Sequence, residues 1–492
     1  MAIRCEQEYK IMNYEAVIGL EVHAELLTKS KMFCGCAVVM SDGEAPNSHV
    51  CPICTGMPGM LPVINRRAVE MTIMTGLALN CTIAEFNIFA RKNYFYPDLP
   101  KGYQISQYEF PLCKNGWLEI ETSLGKKRIG IRRVHLEEDT GKSIHAGTSS
   151  LIDFNRSGVP LMEIVSEPDL HSAEEVKAYA EKLRAIVRYL GVNSGDMEKG
   201  VIRFEPNISI RPVGATEFGT RTELKNLNSF RALERGTAYE LKRQQEVIES
   251  GGQVKQETRG WDEAANKTVP QRSKEFAEDY RYFPEPDLPP LIVEQAWVDE
   301  LRAQLPELPD VKRERFVSEY GLTVADADVL VVERGIADYF EAAVKQSGGK
   351  NPKSVVNWLT GELFRYMNES LTPIEQVKIA PHELSALIAL VESGAINMNT
   401  GKRVLGEMFK TGQTAKAIVD AQGLAQISDT SAIEAIVTKV LDANPAEVEK
   451  YLGGKETVLG FLVGQVMKES RGKANPAAVQ EIVRKQLASR KK

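Results

Sequence analysis

The segment from Arg133 to Ser143 concentrates groups that could bind a metal ion. His135 is followed by three consecutive carboxylates, Glu137, Glu138 and Asp139, and then by a Gly-Lys turn. Adjacent carboxylates repel one another unless a cation or a proton lies between them. This segment therefore predicts a metal-binding site.

A second acid–histidine group lies far upstream. Glu21, His23 and Glu25 alternate with apolar residues, so in a strand they would share one face. Glu21 and His23, together with Glu137 and Glu138, would supply hard oxygen ligands and one imidazole, which suits Mg²⁺ or Mn²⁺. The alternative to a metal site is that residues 137–139 form an exposed acidic turn and that residues 21–25 form an ordinary half-buried strand.

Four of the seven cysteines form two closely spaced pairs. Two such pairs separated by a short loop are typical of a tetrahedral zinc knuckle. A redox dithiol and coincidence are the competing interpretations. Since no open coordination position is evident, we expect a structural Zn²⁺ site, with the ligands Cys34, Cys36, Cys51 and Cys54.

The segment 91–107 interleaves cations, aromatic residues and prolines. Such segments can stack a nucleobase and neutralise phosphates, although a rigid surface loop would have the same composition.

Gly141-Lys142-Ser143 is not a P-loop, because Leu136 stands where that motif needs glycine. Two further polar clusters, 205–209 and 221–229, could be a salt-bridged sheet surface or a second wall of a site for an anionic substrate.

Composition indicates a soluble protein. Of the 492 residues, 43% are hydrophobic and 26% are charged, and no apolar run approaches the roughly 18 residues of a membrane span. Residues 401–492 carry 15 basic and 10 acidic residues, a net +5, so the remainder carries −11 of the total of −6. The basic tail could hold a polyanion or be a solvated helical surface. The odd number of cysteines and the absence of a signal segment predict a cytoplasmic protein without a membrane partner.

The pattern of short apolar runs predicts an α+β fold with a mixed sheet. Helices are expected at about 66–79, 172–190 and 229–249, and four prolines between 283 and 290 predict an extended strap. Helical periodicity dominates from about residue 295. We therefore expect three domains: a sheet domain over 1–293 with the cysteine knuckle inserted at 34–54, a helical linker over 294–410, and a small helical tail over 411–492.

Six long motifs carry a resemblance to a known family. They begin at Val17, Arg91, His135, Asn155, Glu223 and Asp279, and they include His135-Leu-Glu-Glu-Asp-Thr-Gly-Lys and Asp279-Tyr-Arg-Tyr-Phe-Pro-Glu-Pro-Asp. The chain resembles, over essentially its whole length, the B subunit of the glutamine-dependent aspartyl/glutamyl-tRNA(Asn/Gln) amidotransferase. The resemblance implies a cradle-type catalytic domain and a tRNA-binding tail.

The resemblance also implies a reaction. Family members amidate the side chain of Asp-tRNA(Asn) or Glu-tRNA(Gln): ATP phosphorylates the carboxylate, and ammonia then displaces phosphate. The implied enzyme is a ligase that forms a carbon–nitrogen bond with glutamine as amido donor. An amidase-type glutaminase A subunit would supply ammonia and a small C subunit would complete a heterotrimer, while tRNA and ATP would be substrates.

Site residues follow from the same resemblance. Glu21, His23 and Glu138 would bind Mg²⁺. The catalytic set would be Glu21, His23, Glu137, Glu138 and Glu223, and the contacts to nucleotide or acceptor end would be Lys92, Tyr94, Lys101, Tyr103, Arg281 and Tyr282. A non-catalytic tRNA-binding adaptor is the alternative function, and a stand-alone metal-dependent hydrolase is a more distant one.

Overall fold

The computed structural model describes residues 14–39, 43–273, 279–425, 430–470, 474 and 476–490. The chain divides into two compact units, Met1–Leu308 and Pro309–Lys492. The first is built on a mixed sheet and the second is helical in its described residues, which confirms the predicted α+β fold.

The first unit contains all the strands of the described residues and four helices. Its strands are β1 (Tyr14–Glu25), β2 (Thr82–Ile83), β3 (Phe86–Asn87), β4 (Ala90–Asn93), β5 (Tyr103–Ser106), β6 (Cys113–Thr122), β7 (Gly125–Glu138), β8 (Lys142–Ala146), β9 (Ser149–Asp153), β10 (Pro160–Ser166), β11 (Ile202–Pro212), β12 (Thr222–Lys225), β13 (Glu257–Asp262), β14 (Lys267–Ser273), β15 (Phe283–Pro284) and β16 (Leu291–Ile292). Its helices are α1 (Arg66–Ala78), α2 (Ala173–Tyr189), α3 (Phe230–Glu249) and α4 (Gln295–Ala303).

Nine strands form the main sheet, in the order β14-β13-β12-β11-β1-β10-β7-β6-β2. Among the described residues of this sheet, only β12 and β13 pair in parallel, and the other neighbours are antiparallel. The central strand β1 lies between β10 and β11, which are distant from it in sequence. This topology brings three widely separated segments together at the centre of the sheet.

One face of the sheet is apolar because side chains alternate along each strand. In β1, Ile18, Leu20, Val22 and Ala24 are buried, while the residues between them are only partly buried. Helices α1, α2 and α3 pack against the sheet, and their apolar residues belong to the same core. Helix α2 begins with a side-chain cap, since the Ser172 hydroxyl accepts a hydrogen bond from the Glu175 amide at 3.1 Å.

The other face of the sheet is polar, and its register sets the positions of the charged residues. His23 lies opposite Glu163 of β10 and Arg203 of β11, and Glu163 in turn lies opposite His135 of β7. Directly paired residues have their side chains on the same face, about 5 Å apart at Cβ. The register therefore gathers a row of acids and histidines across the central strands.

Smaller sheets surround the main one. The predicted proline-rich strap is extended: β15 pairs with β4, which also pairs with β5, and β16 pairs with β3. Strands β8 and β9 form a separate two-stranded hairpin directly after the carboxylate run of β7. The segments that contain the predicted nucleotide contacts are thus held by strand pairing.

The second unit is a series of short helices. They are α5 (Pro309–Tyr320), α6 (Val324–Leu330), α7 (Arg334–Gln346), α8 (Pro352–Trp358), a π-helical turn (Leu359–Leu363), α9 (Phe364–Ser370), a 3₁₀ turn (Ile374–Gln376), α10 (Pro381–Glu392), α11 (Met398–Thr411), α12 (Ala415–Ala421), α13 (Thr430–Ala443), α14 (Pro445–Leu452), α15 (Val458–Glu469) and α16 (Pro476–Ser489).

The helices of the second unit build two apolar cores. One contains buried residues from Phe316 to Val419, and the other contains buried residues from Ile433 to Leu487. Helix α12 packs on α10 and α11, so it belongs to the first of these cores. The three-domain division predicted from sequence remains a prediction.

None of the described helices is both long enough and apolar enough to cross a membrane.

Candidate active site

The centre of the polar sheet face holds a compact group of histidines and carboxylates, which we call the histidine cluster: His23, His135, Glu137 and Glu163. The Nε2 atom of His23 lies 3.5 Å from Glu163 Oε2 and 3.8 Å from Glu137 Oε1. His135 Nε2 lies 3.4 Å from Glu163 Oε2. Potential ligand atoms of His23, Glu137 and Glu163 all lie within 4.8 Å of one another, so these three could hold a metal ion.

Burial and charge perturb the titration of the histidine cluster. Burial disfavours the charged imidazole of His23, but the contact with Glu163 and the charges of nearby carboxylates outweigh it and raise the pKa to about 9. Burial dominates at His135 and lowers its pKa to about 4. For Glu137, burial and the charge of Glu163 raise the pKa. For Glu163 itself, burial is outweighed by the two imidazoles and Lys92, which lower the pKa. Such opposed shifts are typical of groups that bind a cation or move protons.

A second group, the acid triad, lies beside the first. It consists of Glu21, Glu205 and Glu223, whose potential ligand atoms also lie within 4.8 Å of one another. Lys225 Nζ lies 2.9 Å from Glu205 Oε2 and 3.3 Å from Glu223 Oε1. Asn207 donates a hydrogen bond to Glu21 at 3.1 Å. Burial and the neighbouring carboxylates, Glu163 first, raise the pKa of Glu21. The triad could accept a divalent cation if Lys225 moved away.

Glu138 does not join either group. Strand alternation turns it away from Glu137, and it is buried against Lys101, whose ammonium donates to Glu138 Oε1. The Ile105 amide donates to the same oxygen at 3.0 Å. The predicted magnesium set of Glu21, His23 and Glu138 is therefore not brought together. Glu137 and Glu163 stand beside His23 instead.

Glu138 and Lys101 line a cavity of about 210 Å³. The cavity is also lined by Arg91 and Asp287 and by residues of the cysteine loops, among them Cys34 and Cys54. Arg91 is itself fixed by Glu285, which accepts two hydrogen bonds at 2.7 Å each. This cavity joins the carboxylate run of β7 to the cysteine-rich segment.

The predicted nucleotide contacts fall into two sets. Lys92, Tyr94 and Tyr282 lie near the histidine cluster: Glu137, Tyr282 and Glu163 raise the pKa of Lys92 against the effect of burial. Burial raises the pKa of Tyr282 to about 12, and its ring stacks on Tyr108 at 4.4 Å.

The other set lies on the side of Glu138 or at the surface. Lys101 contacts Glu138, and the Tyr103 ring lies 4.2 Å below the Arg91 guanidinium. Arg281 is exposed, and its φ of 45° lies in the left-handed region. The predicted contacts therefore lie in two separate environments, and their roles remain a prediction.

Three residues of the site were not singled out by sequence reasoning. Glu163 is the only charged residue in the buried strand β10, and an isolated acid in an apolar run is costly unless it has a partner. That signal could have identified it. Glu205 was noted only within a polar cluster, and His135 only within the carboxylate run. Their grouping depends on strand register, which a single sequence does not reveal.

The four cysteines lie close together as predicted. Their sulfur atoms are all within 4.8 Å of one another, and those of Cys51 and Cys54 are 3.9 Å apart. A tetrahedral site with metal–sulfur bonds of about 2.3 Å has sulfur–sulfur edges of about 3.8 Å. The Cys51 amide donates to Cys54 Sγ at 3.2 Å, and a hydrogen bond from Cys34, together with Lys31, lowers the pKa of Cys54 to about 4. The quartet could therefore hold a tetrahedral metal ion.

Comparison with known proteins gives concordant matches over both parts of the chain. Residues 16–299 match the profile of the GatB/GatE catalytic domain, and residues 338–487 match that of the GatB domain. A protein of Thermodesulfovibrio yellowstonii, named as the B subunit of an aspartyl/glutamyl-tRNA(Asn/Gln) amidotransferase, is 56% identical over 97% of this chain and 100% of its own length. Proteins of the same name from Carboxydothermus hydrogenoformans and Caldicellulosiruptor saccharolyticus are 53% and 55% identical, over 96% and 97% of this chain and 99% of each relative.

Proposed function

The chain belongs to the family of aspartyl/glutamyl-tRNA(Asn/Gln) amidotransferase B subunits, and we propose that the polar sheet face is where the misacylated tRNA is activated. The resemblance inferred from sequence is thereby confirmed, as is the assignment to a tRNA-dependent amidotransferase of the ligase class. The proposal extends to the substrates Asp-tRNA(Asn) and Glu-tRNA(Gln), which the names of the relatives include.

The single observation that carries the proposal is the pairing of the histidine cluster with the acid triad. Glu21 and His23 belong to different groups but lie two residues apart on β1, on one face. Two residues span about 7 Å of strand. Two neighbouring groups that can each bind a cation suit the transfer of a phosphoryl group, whose charge must be neutralised as it moves.

The reaction explains why ATP is required. A carboxylate oxygen is a very poor leaving group toward ammonia, so the side chain must first be activated. In the proposed first step a carboxylate oxygen forms a bond to the γ-phosphorus of ATP, and ADP leaves. In the second step the ammonia nitrogen attacks the acyl carbon, the carbon–oxygen bond to phosphate breaks, and the nitrogen loses a proton. The products are the amide, ADP and phosphate.

The residues have distinct proposed roles. His23, Glu137 and Glu163 would hold one divalent cation, and Glu21, Glu205 and Glu223 would hold another. Bound Mg²⁺ or Mn²⁺ supplies charge neutralisation for the transferred phosphoryl group. Both groups combine carboxylate oxygens with at most one imidazole, the ligand chemistry that these cations accept.

The cationic and aromatic residues around this face are proposed to hold the substrates. Lys92, Tyr94 and Tyr282 would contact ATP or the acceptor end beside the histidine cluster, since a protonated lysine there can pair with phosphate. Lys101 and Tyr103, together with Glu138 and Arg281, would act at the margins of the site. The resemblance supports these roles, and the two separate environments described above suggest two subsites.

We further propose that the cysteine quartet binds a structural Zn²⁺ ion. Four thiolates with the sulfur spacing found here complete a tetrahedral coordination shell and leave no position for substrate. The proposed role is to fix the loops 31–36 and 51–56 against the sheet domain.

The relatives are named as B subunits, which supports the existence of partner subunits. We propose an amidase-type glutaminase A subunit that supplies ammonia, a small C subunit that completes a heterotrimer, and a cytoplasmic location.

The basic segment 411–492 would bind tRNA. Removal of residues 426–492, which spares α12, should weaken tRNA binding and reduce its salt dependence.

The proposal is tested by His23→Ala in the assembled enzyme, with Glu246→Gln on the exposed side of α3 as control. Transfer of ³²P from γ-labelled ATP to Asp-tRNA should be lost in the first variant and normal in the second, while tRNA binding stays intact in both. Normal phosphoryl transfer by His23→Ala would instead favour a tRNA-binding adaptor. Metal-dependent hydrolysis without ATP or tRNA would favour a hydrolase.

A further inference from the structure

Lys31 is a buried cation that the proposed reaction does not use. Its side chain is 1% exposed, and it lies next to the cysteine quartet. Its ammonium donates to the carbonyl oxygens of His49 at 2.9 Å and Phe154 at 3.2 Å, and to Cys54 Sγ at 3.6 Å. An ammonium has three donors, so every donor of Lys31 has a partner.

A buried ammonium needs a nearby anion, because removing it from water costs several kcal/mol. Within the described part of the chain, the contacts of Lys31 are two neutral carbonyls and one sulfur, and no carboxylate forms an ion pair with it. The sulfur of Cys54 is therefore the anion available to it. Four thiolates around a divalent cation carry a net charge of −2, which a neighbouring ammonium would halve.

We propose that Lys31 is the built-in counter-cation of the cysteine quartet, and that it couples the metal bound there to the 154–158 loop beside Glu138. The inference deepens the proposed zinc site and rests on it. It makes Lys31 a positioning residue: it touches neither substrate nor reacting atoms, and it acts through the thiolates and the loop.

The coupling to Glu138 is visible in the contacts of that loop. Its Phe154 carbonyl accepts from Lys31, and its Ser157 hydroxyl donates to the Cys54 carbonyl at 3.0 Å. The Gly158 amide donates to the Asp139 carbonyl at 2.9 Å, immediately after Glu138. A Cβ on Gly158 would lie 3.4 Å from the Cys54 side chain and 3.8 Å from Glu138 Oε2. One short loop therefore contacts both the metal site and the carboxylate run.

The first experiment measures metal retention in the full-length protein. Lys31→Met removes the charge and keeps most of the volume, and Lys29→Met, on an exposed neighbour, is the control. Transfer of zinc to a chromogenic chelator should become faster in Lys31→Met, because losing an outer partner of a metal ligand usually lowers the affinity for the metal by about 10- to 100-fold. The control should match the unmodified protein. Equal rates for all three proteins would overturn the proposal.

The second experiment asks whether the anion of Lys31 is Cys54. In a zinc-stripped Cys54→Ala variant, the ammonium loses its anion and stays buried. Adding Lys31→Met should therefore raise the Tm of that variant, although the same change should lower the Tm of the zinc-loaded protein. A lysine that only ties two carbonyls together would lower the Tm in both backgrounds, and that result would overturn the proposal.

This second comparison decides the question even if Lys31→Met does not fold in the otherwise unchanged chain, because the double variant is compared with Cys54→Ala alone. Neither readout depends on amidotransferase activity. A negative result would thus remove the role of Lys31 and leave the proposed function of the sheet face untouched.

Discussion

The histidine cluster and the acid triad meet at strand β1, which carries His23 of the first group and Glu21 of the second, yet they balance their charge in different ways. In the histidine cluster, the side chains of Glu137 and Glu163 are 3% and 9% exposed, and the protonated imidazole of His23 lies 3.5 Å from Glu163, with Arg133 at 3.9 Å. In the acid triad, the Lys225 ammonium already lies 2.9 Å from Glu205. Before either group binds a metal ion, its negative charge is therefore balanced by a different side chain: His23 in the histidine cluster and Lys225 in the acid triad.

The difference predicts the order in which the two groups bind a cation. In the histidine cluster a divalent cation has only to displace the proton of His23, whose imidazole then becomes a ligand beside two buried carboxylates. In the acid triad the same cation must displace Lys225, whose side chain is 38% exposed and free to move toward solvent or phosphate. We expect the histidine cluster to bind its cation first and more tightly.

The largest expected effect comes from removing one carboxylate from each group. Glu163→Gln should lower phosphoryl transfer to tRNA by about a thousandfold or more, since losing a cation ligand at a reacting centre costs several kcal/mol. Glu205→Gln should have a smaller effect, because Lys225 still offsets part of the charge of the triad. Single-turnover ³²P transfer measures both. Equal losses would remove the proposed ranking of the two groups.

Cation binding by the histidine cluster should depend on pH. The pKa of His23 is raised to about 9 in the metal-free protein, so at pH 7 its imidazole is protonated and a bound cation must displace that proton. The affinity of the histidine cluster for Mn²⁺ should therefore rise by about tenfold per pH unit as pH increases toward 9, and level off above it.

Calorimetry in two buffers of different ionisation enthalpy would detect the released proton. His23→Gln keeps a polar side chain without the titrating group, and it should abolish both the proton release and the pH dependence. Tight Mn²⁺ binding to the unmodified protein without proton release between pH 7 and 9 would contradict the assignment of His23.

The smallest expected effect concerns Lys225. Lys225→Met removes the ammonium that competes for the acid triad, and a partly exposed ion pair contributes up to about 1 kcal/mol. Binding of a second Mn²⁺ ion should tighten by about fivefold. Lys267→Met on the exposed side of β14 is the control. Weaker binding of the second ion in Lys225→Met would show that Lys225 does not compete for the triad.

Much of this arrangement could be predicted from local pattern. Alternation in β1 placed Glu21 and His23 on one face, the cysteine spacing predicted the quartet, and the apolar periodicity gave α1, α2 and α3 close to their observed bounds. These features depend on neighbours in sequence, which is why single-sequence reasoning recovers them.

The remaining features depend on long-range register. Glu163 reaches His23 only because β10 pairs with β1 across about 140 residues, and no local signal fixes that pairing. The choice between Glu137 and Glu138 is a different case. Consecutive strand residues face opposite sides, so only one of the two could share a face with His135, and the alternation rule could have separated them.

The central claim is that a divalent cation occupies the histidine cluster during phosphoryl transfer. Crystals of the assembled enzyme grown with Mn²⁺ and a non-hydrolysable ATP analogue would test it through anomalous scattering at the manganese edge. We predict a peak within about 2.0–2.3 Å of ligand atoms from His23, Glu137 and Glu163. A manganese peak at the nucleotide without any contact to these three residues would contradict the claim.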